Sequence, residues 1–156
     1  MHDKVVYLTP EGKQRFTEEL HELLTVRRHE VEAQIRRAKE FSDTVDNAEY
    51  DEAKTEQSFV EGRILELERL LSLAKLIEQP TTKADFVRMG VHIKVVDPDG
   101  DEETYHLVGS SEADPRRGLI SNESPIGRAL IGKRIGDEVT VVAPAGAFNL
   151  KILDIS

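Results

Sequence analysis

Two carboxylates three residues apart offer the clearest chemistry in this sequence. Asp43 and Asp46 lie in the connector 41–47, between two long stretches with helical periodicity. A turn can aim both side chains outward, and the start of the following helix favours their ionised forms. Mg²⁺ prefers six oxygen ligands and takes many of them from water, phosphate and carboxylates. The pair therefore has the composition of half a metal site, and the alternative is that both residues are helix caps or solvated turn residues.

Basic residues precede this connector on the same predicted helix. Arg36, Arg37 and Lys39 lie within two helical turns of it and are candidates for contacting a phosphate backbone. The alternative is a solvated face of mixed charge. The formal net charge of the chain is -9, which disfavours binding of duplex nucleic acid through phosphate neutralisation. Any contact with nucleic acid must therefore be local or occur through a partner.

The elements that position the connector are two amphipathic helices. Apolar residues recur at alternating spacings of three and four, which is typical of helices that share a narrow seam. A connector this short makes the two helices antiparallel, and about 30 residues per helix correspond to a length of about 45 Å. Arg27 interrupts the first half of the seam. The predicted seam residues are Phe16, Leu20, Leu23, Val31, Ile35 and Ala38 on the first helix, and Ala53, Val60, Ile64, Leu67, Leu71 and Ala74 on the second.

Capping signals predict where these helices begin and end. Thr9 can cap the first helix, and Pro10 suits its first position. That helix is expected to run to about Glu40. Asp46 or Asn47 can cap the second helix, which is expected to run to about Ile77.

The periodicity changes after a linker at 79–83, which contains Pro80. Strands are predicted at 91–96, 104–108, 138–143 and 149–155, with a short helix that begins at Ser124 and Pro125. The predicted fold class is α+β, with a coiled-coil domain at 1–78 and a small, mostly antiparallel domain at 84–156.

Several functional classes are excluded or disfavoured. The chain has 156 residues and no cysteine, so it has neither disulfides nor thiolate metal sites. No signal peptide is apparent and no apolar run approaches a membrane span, so we expect a cytoplasmic protein. His21 and His29 are too far apart to share a metal, whereas His92 and His106 are expected on neighbouring strands as half-buried residues. No Gly-rich phosphate loop or nucleophile motif is present.

Longer motifs resemble those of a known family. Residues 46–54, Asp-Asn-Ala-Glu-Tyr-Asp-Glu-Ala-Lys, together with 56–57 and 59–64, resemble the second helix of the bacterial Gre transcript cleavage factors. Residues 124–133, Ser-Pro-Ile-Gly-Arg-Ala-Leu-Ile-Gly-Lys, resemble the C-terminal domain of the same family. Residues 8–12 match at the start of the chain, so the resemblance spans nearly its whole length.

The resemblance implies a fold and a function. The fold is an N-terminal antiparallel coiled coil joined to a domain that resembles the FK506-binding proteins. The C-terminal domain docks on bacterial RNA polymerase at the rim of its secondary channel, and the coiled coil enters the channel. There the acids at its tip help to hold a Mg²⁺ jointly with the polymerase, which then hydrolyses the nascent RNA of a backtracked complex. The protein itself is then not a nuclease.

The family motifs assign roles to individual residues. The family tip Gly-Asp-Leu-Ser-Glu-Asn falls on 42–47, so Asp43 matches directly and Asp46 replaces a glutamate. Val45 replaces a serine, and this departure bears on the efficiency of cleavage. Asp43 and Asp46 are the predicted metal-holding and catalytic residues. The predicted RNA contacts are Arg36, Arg37, Lys39 and Asn47, and the predicted polymerase-docking residues are Glu123, Ser124, Pro125 and Ile126.

The sequence alone does not decide between this function and several others. A channel binder of the same family could inhibit the polymerase rather than stimulate cleavage. The C-terminal domain could act as a prolyl isomerase, although Phe86, Tyr105 and Phe148 are its only aromatic residues apart from histidine. A bare coiled-coil adaptor would leave the tip and docking motifs unexplained. Because the hairpin satisfies its own seam, we predict a monomer.

Overall fold

The computed structural model describes residues 4–41, 47–78 and 84–156. It divides into two compact units, of which one is Lys13–Leu73 and the other combines Met1–Gly12 with Ala74–Ser156. The first is a helical hairpin and the second contains the sheets, so the predicted α+β class is confirmed. The sequence predicted a coiled-coil domain at 1–78, before a linker at 79–83. In the structure, however, the first twelve residues belong to the sheet unit.

The hairpin contains three α-helices, and a π-helical turn at Leu23–Arg27 separates the first two. The first helix begins as predicted, because the Gly12 amide donates to the Thr9 hydroxyl at 3.0 Å. The helices are α1 (Pro10–Glu22), α2 (Arg28–Phe41) and α3 (Ala48–Ser72).

The seam residues form the core of the hairpin unit. Val31, Val60 and Ile64 are buried, and Leu20, Leu23, Leu24 and Ile35 pack against them. Ala38, Ala53 and Leu67 are buried as well. Cross-helix contacts join Glu19 to Arg63, Arg27 to Glu56, and Ala38 to Asn47. As the residue number increases along the first arm of the hairpin, from 19 to 38, that of its partner decreases from 63 to 47. The two arms are therefore antiparallel, as predicted.

The π-helical turn was not predicted. The Arg28 amide bonds the Leu23 carbonyl, five residues back, so one extra residue is accommodated in this turn. Both Leu23 and Leu24 then reach the apolar core. Arg27 does not leave a gap in the seam, because its guanidinium binds Glu56 at 2.6 Å and Glu30 at 3.1 Å.

The predicted end of the second helix at Ile77 is wrong. The helix α3 ends at Ser72, and Ala74–Leu76 forms β2, which pairs in parallel with β1 (Val6–Leu8). Ala74, which was predicted as a seam residue, therefore lies in a strand. The Ile77 amide also donates to the Leu8 carbonyl at 2.7 Å. These pairings satisfy backbone groups that a further helical turn would have satisfied locally, so tertiary context overrides helix propensity here.

A five-stranded mixed sheet forms the rest of the second unit. The strand order is β5-β4-β3-β7-β6, and only β4 and β5 are parallel. A short helix, α4 (Pro125–Leu130), packs on this sheet. The predicted strands and helix are present, and the short β5 was missed. The strands are β3 (His92–Val96), β4 (Glu102–Val108), β5 (Leu119–Ser121), β6 (Glu138–Ala143) and β7 (Gly146–Ile155).

Alternate residues of these strands build the core of the sheet unit. Ile93, Val95, Leu107, Val139 and Val141 are buried on one face, and Leu130 of α4 joins them. Among residues 4–41, 47–78 and 84–156, no helix is long and apolar enough to cross a membrane.

His92 and His106 are cross-strand neighbours on β3 and β4, as the sequence predicted, but His106 is half-buried whereas His92 is exposed. Their rings stack with centroids 4.0 Å apart. Burial, and secondarily the neighbouring His92, lower the pKa of His106 below its ordinary value of 6.5. The unfolded chain therefore takes up a proton at this residue at higher pH than the folded chain does. Stability contributed by neutral His106 is present above pH 6.5 and is lost as the pH falls through the lowered pKa.

We predict that His106→Gln reduces the acid sensitivity of the fold. Because Gln cannot take up this proton, the variant should lose less unfolding free energy than the wild type between about pH 7.5 and about pH 5. Urea titrations at both pH values measure this difference. His21→Gln, at an exposed position on α1, is the matched control. Equal acid sensitivity of wild type and His106→Gln would contradict the prediction.

Candidate functional site

The two carboxylates of the predicted metal site lie outside the described residues. Asp43 and Asp46 belong to the segment 42–46, and their role stays a prediction. The structure describes the residues on either side of this segment, at the end of α2 and the start of α3. These residues determine how the two ends of the connector are held.

One side chain ties the two helix ends together. The Asn47 Oδ1 atom accepts a hydrogen bond from the Tyr50 amide at 3.1 Å, which caps α3. Its Nδ2 atom donates to the Ala38 carbonyl at 2.8 Å, in the last turn of α2. Asn47, rather than Asp46, is therefore the cap in the described structure. Both functional ends of its amide engage the backbone, and its predicted RNA contact stays untested.

The predicted phosphate-contacting residues lie on the exposed surface of α2. Arg36, Arg37 and Lys39 are all exposed, and the Lys39 Nζ atom lies 5.8 Å from the centroid of the Tyr50 ring. Arg37 lines an open groove that it shares with Arg27 and with the carboxylates Glu49, Glu52 and Glu56. This part of the hairpin therefore has mixed charge rather than a purely basic surface.

The second predicted site centres on the Glu123 carboxylate. It accepts hydrogen bonds from the Lys4 Nζ atom at 2.7 Å and from the Ser110 hydroxyl at 2.9 Å. Lys4 first, and then Ser110, hold the pKa of Glu123 below its ordinary value. The result is an ionised carboxylate whose two oxygens are oriented by separate donors. Glu123 remains half exposed, with 50% of its side chain accessible.

The three residues that follow Glu123 differ in exposure and in their contacts. Ser124 caps α4, because its hydroxyl accepts from the Gly127 amide at 3.1 Å and donates to the Ser121 carbonyl at 2.6 Å. Pro125 is exposed at the first position of the helix. Ile126 is partly buried and packs against the core. Glu123 and Pro125 are thus exposed at the surface, whereas the Ile126 side chain contributes to the fold.

Two glycines allow close backbone approach near this site. A Cβ atom on Gly127 would lie 2.0 Å from the Ser121 carbonyl, and one on Gly109 would lie 1.9 Å from the Tyr7 carbonyl. The N-terminal segment can therefore pack directly beside the loop that carries Ser110. A groove of about 250 Å³ lies here, and its lining includes Lys4, Tyr7, Met89, Ser110 and Glu123.

Sequence reasoning missed a buried acid that holds the start of α1. Glu112 and Thr9 are only 6% and 2% exposed. The Glu112 carboxylate accepts from the Thr9 amide at 2.7 Å and from the Thr9 hydroxyl. A Cβ atom on Gly12 would lie 2.0 Å from the same carboxylate, so a larger residue at this position would displace it. The Thr9 cap was predicted from the sequence, but its acid partner, 103 positions away, was not.

Comparison with known protein families gives matches over both units. The family described as "Transcription elongation factor, N-terminal" matches residues 6–76. The family described as "Transcription elongation factor, GreA/GreB, C-term" matches residues 81–156. Together these two matches cover nearly all of the chain.

Individual relatives match over the same length. The chain is 52% identical over 153 residues to the transcription elongation factor GreA of Thermoanaerobacter pseudethanolicus, covering 97% of this chain and 98% of the relative. It is 50% identical over 154 residues to that of Acetivibrio thermocellus, covering 98% and 97%. Among solved structures, "Structure of the transcription factor Gfh1" is 29% identical and covers 99% of each chain with a TM-score of 0.48.

We predict that Glu112→Gln destabilises the fold by about 1–3 kcal/mol. An amide presents one acceptor and one donor group to Thr9, so one of the two Thr9 donors loses its partner in a buried site. Urea unfolding measures the change. Glu138→Gln, at an exposed position on β6, should stay within about 0.5 kcal/mol of the wild type. Equal stability of the two variants would contradict the structural role of Glu112.

We predict that Asn47→Ala costs about 1–2 kcal/mol, because α3 loses its cap. Asn47→Asp keeps the acceptor for the Tyr50 amide and removes the donor to the Ala38 carbonyl. It should therefore cost less than Asn47→Ala. Urea unfolding, with hydrogen exchange at the Tyr50 amide, measures both effects. If Asn47→Ala exchanges at this amide as slowly as the wild type, the cap has been misassigned.

Proposed function

Because the chain belongs to the GreA/GreB family of transcription elongation factors, we propose that it binds RNA polymerase and stimulates cleavage of nascent RNA in backtracked complexes. The hairpin enters the secondary channel of the polymerase, and the sheet unit docks at the channel rim. The polymerase performs the hydrolysis, and this protein supplies groups to its active site. The observation that carries the proposal is the family match over both units, with acids retained at both tip positions.

The proposed metal site is shared between two proteins. Within the described part of the chain, no three His, Asp or Glu side chains converge in a way that would hold a metal ion. Asp43 and Asp46 alone would supply only two of the six ligands that Mg²⁺ prefers, and the polymerase and the RNA phosphate supply others. In a two-metal site of this kind, one Mg²⁺ would activate the attacking water and the other would stabilise the leaving oxygen.

Contacts within the described part of the hairpin support the proposal that it carries Asp43 and Asp46 to the polymerase active site. Asn47 joins the last turn of α2 to the first turn of α3, so both ends of the segment 42–46 are anchored. Three ion pairs between the helices, from Glu19, Glu56 and Glu61 to arginines, reinforce the hairpin. A scaffold that is ordered before binding loses less conformational entropy on entering a channel.

Docking is assigned to Glu123 and Pro125. Lys4 and Ser110 orient the Glu123 carboxylate before any partner arrives. Such a carboxylate fits an arginine, a lysine or a backbone amide on the polymerase rim. Since Lys4 occupies one carboxylate oxygen, the partner meets an ion pair rather than a lone charge.

Inhibition of the polymerase is the second candidate function. Val45 stands where the family tip has serine, and Asp46 is one methylene shorter than the family glutamate. A tip that enters the channel without completing the metal site would block it. The two functions share the same docking and differ only in what the tip does, so one experiment separates them.

The test is cleavage of 5′-labelled RNA by the cognate polymerase in a purified backtracked complex with Mg²⁺. The wild type should accelerate shortening of the RNA, and Asp43→Ala and Asp46→Ala should each lose about tenfold or more of that acceleration while still binding. Glu40→Gln, an acid outside the tip, is the matched control and should keep its activity.

Other results of this cleavage experiment would lead to different conclusions. Binding without acceleration, or with slower cleavage, would support inhibition. Absence of polymerase binding by the wild type would contradict both functions. Glu123→Ala should weaken binding, and its cleavage activity should recover at high protein concentration if docking is its only defect.

A further inference from the structure

A groove of about 340 Å³ opens on the five-stranded sheet, away from the sequence motif at Glu123–Ile126. It lies among residues at the adjoining ends of β3, β4 and β7, and it includes the turn between β3 and β4. It shares no lining residue with the predicted docking loop. The lining residues are Val95, Asp97, Asp101, Glu103, Tyr105, Phe148 and Leu150.

Strand register shows that this groove continues the core face of the sheet. Glu103 pairs with the buried Val95, and directly paired residues of antiparallel strands lie on the same face. On the neighbouring strands, Phe148 pairs with the buried Val141. The helix α4 packs chiefly against β5 and β6. The core face is therefore not covered by α4 at the end of β3 and the starts of β4 and β7.

The aromatic side chains of the groove are only partly covered. Phe148 is 39% exposed, and Tyr105 is half-buried against the core. The Tyr105 hydroxyl donates to the Glu103 carboxylate, which holds the acid beside the ring. Burial, and secondarily this hydrogen bond, raise the pKa of Tyr105, so the phenol stays a neutral donor.

Charge determines what kind of group fits here. The lining contains three carboxylates and no lysine or arginine. The Asp97 carboxylate is fixed by the Asp99 and Asp101 amides, each at 2.9 Å. The nearby Lys94 pairs instead with Glu102, which alternates to the opposite face of β4. An apolar or proline-bearing ligand would leave these carboxylates without a counter-charge.

We propose that this groove binds an arginine side chain presented by a segment of a partner protein. A guanidinium group is planar, so it can stack on Tyr105 or Phe148 while it donates hydrogen bonds to Glu103 or Asp101. The aliphatic part of the arginine covers the open end of the core face. The same composition argues against a prolyl isomerase site, which requires an apolar, aromatic-lined pocket.

The test uses the full chain and two peptides. The protein, labelled with ¹⁵N, is titrated by NMR with acetyl-Leu-Arg-Leu-amide and with the citrulline analogue, which has a similar shape but no charge. The arginine peptide should shift amide signals of β3, β4 and β7 around the groove, and the citrulline peptide should shift them much less. Binding should weaken as salt is raised, because the attraction is electrostatic.

Variants identify the groups responsible. The double variant Asp101→Asn with Glu103→Gln should weaken binding of the arginine peptide by about three- to tenfold. Glu102→Gln removes one carboxylate charge from the other face of β4, outside the groove, so it should leave binding unchanged. Preserved dispersion of the NMR spectrum confirms that each variant is folded. Equal shifts with both peptides, shifts spread outside the groove, or equal weakening by Glu102→Gln would overturn the proposal.

Discussion

The sheet unit depends on one buried interaction between distant parts of the chain. Glu112 accepts both donors of Thr9, at the residue where α1 begins. This interaction holds the N-terminal residues against the sheet unit, where β1 pairs with β2. Lys4, two residues before β1, is then close enough to bind Glu123. A helix cap, a strand pair and an oriented surface carboxylate thus involve the same short N-terminal segment, which explains why it belongs to the sheet unit.

Both proposed contact regions use groups that are oriented before a partner arrives. Asn47 fixes the helix ends that flank the acidic segment, and Lys4 with Ser110 fixes Glu123. Side chains that are already ordered lose less entropy on binding. The proposed groove on the sheet follows the same rule, because the Tyr105 hydroxyl positions Glu103. In each case an internal hydrogen bond orders the group that we propose to contact a partner, or the helix ends beside it.

The sequence predicted the features that have local signals. The seam of α2 and α3 follows from apolar spacing, and the caps at Thr9 and Ser124 follow from residue type. It did not predict β2, because residues 74–76 suit a helix and only pairing with β1 makes them a strand. The role of Glu112 was hidden for a related reason, since its partner lies 103 positions away. The assignment of Asp43 and Asp46 came from motif resemblance, because two acids in a turn do not by themselves distinguish a metal site from a cap.

We propose that the tip acids, Asp43 and Asp46, act through the metal ion of the polymerase. The most direct test is the Mg²⁺ dependence of RNA cleavage in a backtracked complex that is saturated with either the wild type or Asp43→Asn. If the acids hold the ion, the wild type should reach half-maximal cleavage at a lower Mg²⁺ concentration than the variant does. Identical Mg²⁺ dependence, with both proteins bound, would contradict the claim.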